Sequence, residues 1–114
     1  MNTLSASVPD PHAERIAALN DEFRKTLADG YPVLTYGVLA LGPEKAAAVL
    51  EEVRAFDAFE NDPHDRHNFG SFAFEGHTFF WKIDYYDAPF AYHAEDAAAT
   101  TTGRVLTVML ADEY

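Results

Sequence analysis

The densest group of side chains able to do chemistry is Asn61, Asp62, His64, Asp65 and His67. Imidazole and carboxylate together bind first-row transition metals, and His64-x-x-His67 can present both rings on one side of a tight loop. A catalytic metal wants three protein ligands and an open position, so a third ligand has to come from afar, with Asp84, His77 and His93 as candidates. Without a metal, His64 or His67 can serve as a general base, with Asp62 orienting one of them. Either arrangement makes a small metal-dependent or His-assisted hydrolase. The plainer reading is that Asn61-Asp62-Pro63 ends a helix, Asp62 accepts from nearby backbone N–H groups, and the histidines are surface residues.

Lys82 and Asp84 are two apart on an expected strand and share a face with Phe80 and Tyr86. A Lys–Asp pair among aromatics can carry a shifted lysine pKa, the origin of lysine bases and nucleophiles. Such pairs are more often structural, here with Arg104 as a further neighbour. Ser71 has no G-x-S-x-G elbow around it, and Thr100-Thr101-Thr102 has no glycine-rich phosphate cradle, so nucleotide binding gains no support and no cofactor is expected.

The acidic side chains are the stronger signal. Glu51, Glu52, Asp57, Glu60, Asp62 and Asp65 face only Arg54 in their stretch, and within 83–100 Asp84, Asp87, Glu95 and Asp96 stand without a lysine or arginine. The whole chain of 114 residues has a net charge of −11 and a pI near 4.6. That balance disfavours direct nucleic-acid binding, which needs cations to displace counterions from phosphates, and disfavours anchoring on an anionic membrane. It attracts cationic grooves and speeds association with them. Carboxylates can stand in for phosphates, while Tyr85, Tyr86, Tyr92 and Tyr114 offer aromatic anchor area. The partner-binding set expected from this pattern is Glu51, Glu52, Asp57, Glu60, Asp62, Asp65, Asp84, Asp87, Tyr85 and Tyr86. The plainer reading is that acidity keeps the protein soluble.

These residues need a scaffold. Pro9 and the polar residues around it suggest a loose arm over 1–10, followed by one domain over 11–114. Pro11 and Glu14 suit a first helical turn, Ile16, Leu19, Phe23 and Leu27 form an apolar stripe, and Gly30 stops the helix. Glu14, Arg15, Asp21, Arg24 and Lys25 fall on the wet face. Tyr31 to Leu41 reads as a strand with Gly37 as a bulge. Pro43 opens a second helix reaching Phe59, with Ala46, Val49, Leu50, Val53 and Phe56 buried. Phe69–Phe74 and Thr78–Tyr86 make a hairpin around Glu75-Gly76-His77, and Arg104–Leu110 is a central strand. The order α-β-α-β-β-β predicts an α+β fold, two helices on a mostly antiparallel four-stranded sheet. No cysteine, no transmembrane-length apolar run and no basic, apolar leader are present, so a cytoplasmic protein is expected.

Several strings resemble a small bacterial domain-of-unknown-function family found on chromosomes, plasmids and other mobile elements. They are Leu19-Asn20-Asp21 with Phe23-Arg24, Asn61-Asp62-Pro63 followed by His67 and Phe69-Gly70, the run WKIDYYD from Trp81 and the run RVLTVMLADEY from Arg104. The resemblance spans roughly residues 15 to 114 and implies no established reaction. Its mobile-element setting implies anti-defence or plasmid-maintenance roles. This copy departs from the family pattern in the loop, where His64-Asp65-Arg66-His67-Asn68 replaces an aromatic, a glycine, an acid, a histidine and a second acid. Charge, size and resemblance together favour a non-enzymatic domain that binds a basic nucleic-acid-handling protein or complex, of the anti-CRISPR or other anti-defence type.

Overall fold

A computed structural model describes residues 10–28, 30–59, 64–86 and 103–114. Helix α1 (Pro11–Thr26) starts where the Asp10 carboxylate accepts from the amides of His12 (3.0 Å) and Ala13 (3.3 Å), with Pro11 in the first turn. The Ala13 amide, with smaller help from His64 and the His12 amide, holds the Asp10 carboxyl below its ordinary pKa. The helix ends at Leu27 in the left-handed region (φ 58°), three residues before the glycine expected to stop it. Gly30 instead opens strand β1 (Gly30–Leu34), where an added Cβ would collide with the Phe23 ring and the Arg104 carbonyl.

The apolar run after Tyr31 is not one strand. It breaks into β1 and the short helix α2 (Tyr36–Leu39), and Gly37 lies in that helix rather than in a bulge. The cause lies far along the chain. The Glu113 carboxylate accepts from the Thr35 hydroxyl (2.7 Å), the Gly37 amide (2.9 Å) and the Leu110 amide (2.8 Å). A Cβ at Gly37 would come within 2.6 Å of that carboxylate. These donors, Thr35 foremost, lower the Glu113 pKa.

Helix α3 (Pro43–Arg54) begins at Pro43 as expected but stops at Arg54, so Phe56 and Phe59 follow it as irregular chain. Strands β2 (Phe69–Phe74) and β3 (His77–Tyr86) form a hairpin whose two turn residues, Glu75 and Gly76, both have positive φ (49° and 83°), the twist-matching form for a two-residue loop. Strand β4 (Gly103–Leu110) leads into a single 3₁₀ turn over Ala111–Glu113.

The sheet order is β1-β4-β3-β2, with β4 inside as expected. The α+β class and the mostly antiparallel four-stranded sheet hold, with one correction: three α-helices stand among the described residues instead of two, so the order there is α-β-α-α-β-β-β. β4–β3 and β3–β2 are antiparallel, but β1 runs parallel to β4. Side chains alternate across the strands, so Phe79, Trp81, Ile83, Leu106 and Val108 share one face with Phe23 of α1 and Val49 and Val53 of α3. Lys82, Asp84, Phe80 and Tyr86 lie on the opposite face. The expected N-terminal arm lies outside the described residues apart from Asp10. No described helix is long and apolar enough to cross a membrane.

Candidate functional site

Residues from each of the distinctive strings converge where α1 crosses the sheet. Asn20, fully buried, uses its whole amide: its oxygen accepts from Arg104 Nε (2.7 Å), and its nitrogen donates to the Tyr85 hydroxyl and the Arg66 carbonyl (2.9 Å each). The Arg104 guanidinium also lies over the Tyr85 ring, 5.3 Å from its centre. Burial lowers the Arg104 pKa, and arginine remains charged nonetheless. One asparagine thus ties α1 to β3, β4 and the loop before β2.

Arg24, expected on the wet face, is only 1% exposed. Its guanidinium donates to the carbonyls of Val53 (3.0 Å) and Phe56 (2.8 Å) and pairs with Asp21 at 2.9 Å. It therefore adds a second donor to the Val53 carbonyl, which also accepts from the Phe56 amide, supplies one to the Phe56 carbonyl just past α3, and its charge matches the negative end of that helix. The arrangement is reciprocal, because Arg54 of α3 donates twice to the Lys25 carbonyl in the last turn of α1 (2.9 and 2.8 Å). Arg24 also lies 5.2 Å from the ring centres of Phe59 and Trp81. The spacing held a clue to its burial: Arg24 comes four residues after Asn20 and eight after Ile16, on one helical face.

His67 has φ 55°, uncommon for a residue other than glycine. Its backbone amide donates to the Asp65 carboxylate (2.8 Å), its ring stacks on Phe59 with centroids 3.8 Å apart, and Nδ1 meets both Asp21 oxygens at 2.9 and 3.0 Å. Asp21 takes the orienting role expected of Asp62. With Nδ1–H directed at Asp21, the Nε2 lone pair is left as acceptor. The ring borders an open cleft of about 490 Å³ at the facing ends of α1 and α3, together with Lys25, Arg54, Asp57 and Phe59.

The two loop histidines do not converge. His64 lies 3.4 Å from Asp10, at the far end of α1 from Asp21. No group of three His, Asp or Glu among the described residues is placed to hold a metal ion. His77, one candidate third ligand, is at the hairpin turn, and Asp84 pairs with Lys82 at 3.2 Å on the face opposite the helices. Asn61, Asp62 and His93 lie outside the described residues.

The acidic set divides. Glu51, Glu52 and Asp57 are exposed on α3 and the chain after it, with Glu51 paired to Arg54 at 2.8 Å. Asp65 is half-buried and occupied by the His67 amide. Asp84 and Tyr86 are on the other face of the sheet, whereas Tyr85 points into the Asn20 network. Glu60, Asp62, Asp87 and Tyr92 fall outside the described residues. Tyr114 is exposed as expected of an aromatic anchor, and further exposed apolar area among the described residues comes from Tyr31 and Val33 of β1, Tyr36 and Leu39 of α2 and Phe69 of β2.

No curated protein matches this chain, and no solved structure does. A family model described as "Protein of unknown function (DUF3768)" matches residues 34–113, which takes in α2, α3 and three of the four strands. With most of its length under that match, the chain belongs to the DUF3768 family of proteins of unknown function.

Proposed function

We propose that this domain is a recognition module for a basic protein, acting as an inhibitor of a nucleic-acid-handling complex by presenting carboxylates where that complex expects phosphates. An anti-defence role, such as blocking a CRISPR effector, is the concrete form of this reading. The observation that carries it is the outward side of α3 and its continuation, where Glu44, Glu51, Glu52 and Asp57 are all exposed. Among the described residues neither Glu52 nor Asp57 has an ionic partner. Meanwhile the conspicuous polar side chains (Asn20, Arg24, Arg104) are buried in holding the fold. A carboxylate surface on a chain of net charge −11 raises encounter rates with a cationic groove and fixes orientation there.

The test is to reverse three charges together, Glu51→Lys, Glu52→Lys and Asp57→Lys. Binding to a partner captured by the wild type should weaken about 100-fold or more, as like charges meet across the interface, while the thermal transition survives. Unchanged binding contradicts the reading.

The Asp21–His67 pair supports a second reading, His-assisted hydrolysis with Nε2 as the base. It predicts slow turnover of an activated ester such as p-nitrophenyl acetate, lost in both His67→Gln and Asp21→Asn. Ester turnover equal to that of free imidazole, or unaffected by either change, removes it.

A further inference from the structure

The two edges of the sheet differ. β1, at one edge, carries Pro32 at its centre, which interrupts pairing there. β2, at the other, reads Phe-Gly-Ser-Phe-Ala-Phe, with no charge and no proline, and among the described residues it pairs only with β3. The Ile83 amide donates to the Asn68 carbonyl, and these two residues are directly opposed in the β2–β3 register. Hydrogen-bonded pairs alternate with non-bonded ones, so Gly70, Phe72 and Phe74 bond inward to β3. Phe69, Ser71 and Ala73, all exposed, turn their N–H and C=O groups outward.

Along this free edge runs an open groove of about 490 Å³, walled by Phe56, Ala58, Phe59 and Phe69 and bordered by Asp65 and Ser71. Gly70 keeps the groove open beside the buried Trp81. A Cβ there would come within 2.5 Å of the indole nitrogen and 2.9 Å of Phe56. Asp65 is the single ionisable side chain among the described lining residues.

From this geometry we infer that β2 accepts an extended segment of a partner protein as a fifth strand. A lysine or arginine of that segment, opposite Gly70, lays its aliphatic stem between Phe56 and Phe59 and its charge near Asp65. Main-chain hydrogen bonds to Phe69 and Ser71 supply affinity, and the groove supplies specificity. Charge selects the occupant: a second copy of this chain brings another −11 against the same edge, whereas a basic segment is attracted. This inference rests on the recognition reading and adds where the partner's chain is gripped.

The probe is a blocked heptapeptide of alternating threonine and valine with a central arginine, titrated into the isotopically labelled full chain. Trp81 is the only tryptophan, so its indole N–H gives one isolated side-chain signal beside the groove. The arginine peptide should shift the Gly70 and Ser71 amides and the Trp81 indole. A central glutamate should weaken binding by about tenfold or more, and N-methylation of alternate peptide nitrogens should abolish it. No shift at these three signals, equal binding of the glutamate peptide, or peptide-independent shifts that grow with protein concentration would each overturn the inference, the last by assigning the edge to a second copy. Ser71→Pro removes an outward N–H without losing a bond to β3. If that variant still captures the wild-type partner at full strength, the strand-addition site fails while the recognition reading stands.

Discussion

Replacing Arg24 with alanine should lower the folding free energy by about 3–5 kcal/mol, a large part of what a domain this size possesses. The loss has three sources. The carbonyls of Val53 and Phe56 lose the guanidinium donor just past α3, Asp21 loses its buried counter-charge, and the rings of Phe59 and Trp81 lose the group packed over them. Arg24→Met should recover only part of this, because it restores packing but returns neither the donor to the Phe56 carbonyl nor the charge opposite Asp21. Denaturant unfolding followed by circular dichroism measures both. A loss under about 1 kcal/mol for Arg24→Ala would place it in the range of a surface ion pair and contradict the reciprocal arginine capping of α1 and α3.

Trp81→Ala should cost a comparable amount, about 3–5 kcal/mol, by a different route. The indole is fully buried, with Phe56 and Phe59 meeting it edge-on at centroid distances of 5.4 and 6.1 Å. Its partner across the β2–β3 register is Gly70, which has no side chain to move into the space. A cavity therefore remains, and the His67–Phe59 stack loses its backing. Among the described residues the indole nitrogen has no hydrogen-bond partner, so the penalty is one of lost packing rather than of a lost polar bond. Trp81→Phe should consequently recover most of the stability. If Trp81→Phe were as damaging as Trp81→Ala, a polar role for the indole would have to replace this account.

What could be read from the sequence was local. The Asp10-Pro11 start of α1, the Pro43 start of α3 and the Glu75-Gly76 turn each follow from residues within one turn of chain. The features that escaped depend on distant partners. Tyr31 to Leu41 has the aromatic and branched residues of one long strand, and Glu113, at the other end of the chain, holds Thr35 before α2 and Gly37 within it. The parallel pairing of β1 with β4 joins residues more than 70 positions apart, and no periodicity within either strand records it. Arg24 looked solvated because guanidinium groups usually are, yet carbonyls at the end of α3 offered it better partners than water alone. At the candidate site the loop histidines are legible from their spacing, whereas the acid beside His67 is Asp21 of α1, 46 residues away and beyond the reach of any local pattern.

The polar residues shared by the distinctive strings hold the fold, and the proposed recognition rests on the exposed carboxylates of α3. The most direct test is affinity capture from a host lysate with the tagged full chain at about 0.05 M and about 0.5 M salt, since exposed charge pairs are screened within a few ångströms at high ionic strength. A basic nucleic-acid-handling protein retained at low salt and released at high salt is the predicted result. Retention of no such protein at either salt, or of one whose binding is indifferent to salt, would contradict recognition by charge.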